Sequence, residues 1–185
     1  MENTSPMKVI VILVLATFGV GSAVAGSLPP PFQSDDPVQS IRQQYASINQ
    51  NAPRYRRVKK SLSGFSAEGG ELVAYFHGPS VMKMVATFLG ETGRSVEEYY
   101  FWNGQLIFVF RTENRYDKPL SGKVVRKIEN RFYFKDNKLI RWLDENGKEV
   151  ASDSADYAPK QSDYLKTSQQ FVEGAKSNRA TIEAP

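Results

Sequence analysis

The sequence predicts an α+β fold: a single antiparallel β-meander of about seven strands, with an N-terminal and a C-terminal helix, at least one packed on the sheet. Three observations predict it. First, residues 97–110 (EEYYFWNGQLIFVF) set Asn103-Gly104 between two runs rich in aromatic and β-branched residues, the strongest short-range hairpin signal. Second, that unit recurs. Residues 74–82, 99–107 and 132–140 share an aromatic-Phe pair, a variable residue, a two-residue turn, another variable residue and two apolar residues. The offsets of 25 and 33 are unequal, which makes this a repeat of hairpins and not a regular solenoid. Third, apolar residues at helical spacing follow Asp36 and Ser162, on either side of the aromatic region.

In chain order, residues 9–20 (VIVILVLATFGV) form an apolar run of 12 residues behind Lys8, followed by Ala23-Val24-Ala25. That is a signal-peptide h-region with an A-x-A cleavage site, and it is too short to span a bilayer. Residues 1–25 are read as a signal peptide, and the exported protein as periplasmic or secreted, with no stable membrane span after cleavage. The Pro-rich residues 26–36 (GSLPPPFQSDD) read as a flexible tether. Residues 37–150 are the expected helix-plus-sheet domain, and residues 151–185 a linker with the C-terminal helix.

The first helix has Asp36 as N-cap, Pro37 in its first turn and Gln39 at the capping-box position. Val38, Ile41, Tyr45 and Ile48 repeat at spacings of three and four, and Pro53 ends the helix. Residues 54–60 (RYRRVKK) carry five basic residues in seven and suit a first or edge strand. Across the Asn-Gly turn the expected pairs are Trp102 with Gln105, Phe101 with Leu106, Tyr100 with Ile107 and Tyr99 with Phe108. Tyr99, Phe101, Leu106 and Phe108 then share one face, and Tyr100, Trp102 and Ile107 the other. Both faces are apolar, so each needs a cover. The other hairpins are expected to pair Phe76 with Val81 and Phe134 with Leu139, Tyr75 with Met82 and Tyr133 with Ile140. Residues 111–122 read as a polar loop. A last helix is expected from Ser162 to about Ser177, with Leu165, Ser168, Val172 and Ala175 on its stripe, Tyr164 and Phe171 flanking it, and a frayed end after it.

The strings GGELVAYF, GETG, EEYYFWNGQLIFVF and ENRFYFKDNKLIRWLDENGKEV resemble a set of exported bacterial proteins of unknown function, from about Ile41 to Val150. The resemblance brings no activity and no catalytic residues. The aromatic-turn unit is also distantly similar to MORN-type hairpin repeats, which serve as interaction surfaces.

Composition excludes several chemistries. The 185 residues contain no cysteine, hence no disulfide, no thiolate metal site and no thiol catalysis. His77 is the one histidine, at a turn, with no second histidine to share a metal. Residues 64–69 (GFSAEG) miss nucleophile-elbow spacing around Ser66. The carboxylates of Glu97 and Glu98 are neighbours in a strand and point to opposite faces. No cofactor, metal or nucleic acid is expected. A net charge of +4 suits an anionic partner. The reading is an exported, non-catalytic binding module for a protein or an anionic envelope polymer or lipid. Its candidate binding residues are Arg54, Arg56, Arg57, Lys59, Lys60 and Trp102. The alternatives are a small carboxylate- or Ser-dependent hydrolase, which a cleft joining Glu68, Glu71 and His77 would favour, and a structural envelope protein.

Overall fold

The computed structural model describes residues 36–185; the apolar run, its cleavage site and nearly all of the tether lie outside them. Helix α1 (Pro37–Asn51) begins where the Asp36 carboxylate accepts the Val38 N–H at 2.9 Å, and a 3₁₀ turn (Ala52–Arg54) carries the chain on past Pro53. Seven strands follow as an antiparallel meander: β1 (Arg56–Ser63), β2 (Gly70–His77), β3 (Ser80–Gly90), β4 (Gly93–Trp102), β5 (Gln105–Tyr116), β6 (Val124–Lys135) and β7 (Lys138–Leu143). Helix α2 (Tyr157–Lys176) then crosses back over the sheet, and β8 (Thr181–Glu183) pairs parallel with β1. Among the described residues the sheet therefore has eight strands in the order β7-β6-β5-β4-β3-β2-β1-β8, and it is mixed, not purely antiparallel. The C-terminal residues expected to fray include its last strand.

Each face has its own helix. Val38, Ile41 and Ile48 of α1 pack with Tyr100, Ile107, Phe108 and Tyr133. On the other face Tyr157, Tyr164, Phe171 and Ala175 of α2 meet Leu72, Tyr99, Val109, Phe132 and Phe134. Tyr164 and Phe171, expected on the flank, are the buried centre of the α2 stripe, while Leu165 and Val172 are only partly buried. The helix also starts five residues before Ser162. Pro159 falls in its first turn, where the missing N–H has no helical acceptor to lose.

The three hairpin units share one irregularity. The pairs nearest the turns are as expected: Phe76 with Val81, Phe101 with Leu106 and Phe134 with Leu139. The next pair is shifted in each. Tyr75 lies opposite Lys83, Tyr100 opposite Phe108 and Tyr133 opposite Arg141, which leaves Met82, Ile107 and Ile140 as the extra residues of β-bulges. The bulge puts Ile107 and Phe108 together on the α1 side, so Phe108 does not share a face with Tyr99, and Tyr99 pairs with Val109. A bulge adds local twist, which suits a tight two-residue turn. Asn103 (φ 50°) and Gly104 (φ 78°), like Asp136 (φ 50°) and Asn137 (φ 59°), have the positive φ at both central positions that a type I′ turn requires.

The polar stretch expected as a loop is strand as far as Tyr116, hydrogen-bonded to β4 and β6 on its two sides. Arg111, Glu113 and Arg115 alternate along one face and pair with one another at 3.5 and 2.9 Å, so strand geometry itself matches their charges.

Candidate binding surface

The basic run divides within β1. Arg54 ends the 3₁₀ turn, and it is exposed together with Arg56, Arg57 and Lys59. Lys60 is not: it keeps 7 % of its surface, and its Nζ donates to the carbonyl oxygens of Ser177, at 2.8 Å, and Arg179. Lys60, expected among the binding residues, is therefore not part of the exposed strip. Parity explains it. Arg56, Val58, Lys60 and Leu62 point to the α2 side of the sheet, and at Lys60 the end of α2 lies overhead. A cation there satisfies terminal carbonyls and meets the negative end of the helix dipole.

Among the described residues, the remaining cations lie on an edge that is only half paired. Strand β8 pairs only with Ser61, Leu62 and Ser63. Ser61 N–H donates to Ala180 at 3.0 Å and Ser63 accepts from Ala184 at 2.8 Å, so odd-numbered residues of β1 direct their backbone groups toward β8. By the same alternation the N–H and C=O of Arg57 and Lys59 point out of that edge, where no strand is paired with them among the described residues. The guanidinium of Arg56 lies 4.4 Å from the Phe76 ring centre and that of Arg57 5.5 Å from Tyr75, while Lys59 pairs with Glu71 at 2.5 Å. Beside the edge, on the α2 side, opens a cleft of about 520 Å³ lined by Arg56, Val58, Phe76, Ala175, Lys176 and Asn178.

Trp102 is far from this edge. It is half-buried against the α1-side core and borders a cleft with Pro37, Ser40 and Gln44 at the start of α1. The structure therefore does not join it to the β1 cations. Glu68 precedes β2 and His77 is its last residue, at opposite ends of the strand, and Glu71 is held by Lys59, so no cleft joins the three. Ser66 Oγ donates to Gly69 O at 2.6 Å, a contact internal to its loop.

Comparison with protein-family models, curated proteins and solved structures returned no match. Among the described residues no helix is long and apolar enough to cross a membrane.

Two polar clusters face away from each other at the next-door residues Glu97 and Glu98, as strand alternation requires. On the α2 side Tyr99 Oη donates to Glu97 at 2.5 Å, and Arg111 Nε stands 3.8 Å from the same carboxylate. Burial pushes the Glu97 carboxyl above the ordinary carboxylate range, against the opposing pull of the Tyr99 hydroxyl and Arg111. Burial also raises Tyr164, whose hydroxyl lies buried beside Glu97 and Arg111. On the α1 side Tyr100 Oη donates to Glu98 at 2.6 Å and Lys83 pairs with it at 2.5 Å, with Asn49 of α1 3.0 Å from Lys83. Neither cluster was legible as a unit in the sequence. The available signal was a Glu two residues before a Tyr, which places both on one face of a strand.

Proposed function

We propose that the chain is an exported, non-catalytic binding module that holds an anionic envelope partner on the open half of β1. The supporting observation is the gathering of Arg54, at the end of the 3₁₀ turn, with Arg56, Arg57 and Lys59 on the exposed first half of β1, where Glu71 is the acidic side chain paired with any of them among the described residues. Phe76 and Tyr75 hold the two guanidiniums by their faces, which leaves N–H edges for carboxylate or phosphate oxygens. Export rests on the apolar run and A-x-A site of residues 9–25.

The test is binding of the mature chain to inorganic polyphosphate at low and physiological salt. The proposal expects affinity that falls as salt screens the edge, and a loss of at least about tenfold in the variant Arg54→Gln/Arg56→Gln/Arg57→Gln/Lys59→Gln, at an unchanged fold. Equal binding by variant and parent would overturn it.

A further inference from the structure

We infer that the partner is an extended peptide of alternating acidic and apolar residues, which adds to the sheet as a further strand beside Arg57 and Lys59, in line with β8. The inference rests on the proposed anion-binding role of this edge and specifies its ligand.

Three observations carry it. The outward N–H and C=O groups of Arg57 and Lys59 form the repeating donor–acceptor edge that an added strand needs. Strand β8 already pairs with this edge at Ser61, so the sheet accepts a strand in this position, and β8 stops short of Lys59. Side chains of an added strand alternate between the two faces. On one face they meet Arg57 and Lys59, whose charges select carboxylates across the ladder. On the other they meet the half-exposed Val58 beside the 520 Å³ cleft beneath the end of α2, which Arg56 and Lys176 line together with the buried Phe76 and Ala175. Charge and backbone polarity thus prescribe acids opposite Arg57 and Lys59, with an apolar residue between them opposite Val58. A lipid surface or a flexible polyanion would use the cations but leave the backbone edge and the cleft without a role.

The experiment compares Lys59→Gln with Lys59→Pro in the mature chain. Both lose one charge, and only proline also loses the outward N–H. The β1–β2 bonds of Val58 and Lys60 are kept. The probes are an acetylated Glu-Val hexapeptide of three repeats, inorganic polyphosphate and vesicles of anionic phospholipid. The expected result is hexapeptide affinity about tenfold lower in Lys59→Pro than in Lys59→Gln, with equal polyphosphate affinity in the two. Equal hexapeptide affinities would overturn strand addition. So would vesicles that bind while the hexapeptide does not.

Two N-methylated hexapeptides test the same point without altering the protein. One is methylated on the glutamates and the other on the valines. Strand addition requires one series to lose binding and the other to keep it, because alternate peptide N–H groups face the edge. Equal affinities for both series would also overturn it. Polyphosphate that binds the four-glutamine variant as well as the parent overturns the anion reading itself, a result distinct from failure of the peptide alone.

Discussion

Among the described residues no strand pairs with the outer edge of β1 between Arg56 and Lys59, whereas from Ser61 to Ser63 the same edge is hydrogen-bonded to β8. The two halves are continuous in sequence, and the basic run ends between them. Lys59 and Lys60 are chemically identical neighbours. One points to the solvated face and pairs with Glu71; the other points under the end of α2 and ties that helix to the sheet. Charge density alone does not separate a binding strip from a structural cap. Strand parity and the position of one helix terminus do.

The largest expected effect lies in the closed half. Ile182 keeps 6 % of its surface between β1 and α2, and Ile182→Ala should cost about 2–5 kcal/mol of stability, read by denaturant unfolding. A loss below 1 kcal/mol would mean that β8 is an incidental cover and that the whole edge is open. Next is Lys60→Met, which strands the Ser177 and Arg179 carbonyls and should cost about 1–3 kcal/mol. If Lys60→Met is as harmless as Lys59→Gln, the distinction between the two lysines collapses.

Glu97 and Glu98 repeat the contrast on the two faces of β4. For Glu97, burial raises the folded-state pKa above the unfolded value, so its favourable contribution is complete below the ordinary carboxylate range and is lost as pH rises through the raised folded pKa. Glu97→Gln should therefore be more stable than the parent at neutral and alkaline pH, with the advantage closing in acid. Thermal unfolding across pH reads this, and a Glu97→Gln protein less stable than the parent at neutral pH would show that Arg111 dominates the site. Glu98→Gln should act in the opposite sense at neutral pH, by about 1–3 kcal/mol, because Lys83 loses a partner 2.5 Å away in a half-buried pocket. The smallest effect is Lys59→Gln, which should leave stability within about 0.5 kcal/mol, since its pair with Glu71 is exposed.

The local signals carried much of this fold. Asp36 and Pro37 begin α1 where capping chemistry places its start, and Asn103-Gly104 makes the expected turn. What was not legible depends on partners distant in sequence. The bulges at Met82, Ile107 and Ile140 leave the turn residues and the nearest pair unchanged, and they show only in the pair beyond. Strand β8 has three residues, too few for a periodic signal, and exists because α2 returns the chain to β1. For the candidate site, the charge of residues 54–60 was visible from the start. The burial of Lys60 was not, because it needs a helix terminus more than a hundred residues away. Nor was the cleft, which brings Val58 to Ala175.

The most direct test of the account is amide hydrogen exchange along β1 in the free mature chain. Val58 and Lys60, directed toward β2, and Ser61, bonded to Ala180, should be protected, while the amides of Arg57 and Lys59 should exchange orders of magnitude faster. Protection of Arg57 and Lys59 equal to that of Ser61 would mean that this half of the edge is already closed in the free protein, and would contradict the account.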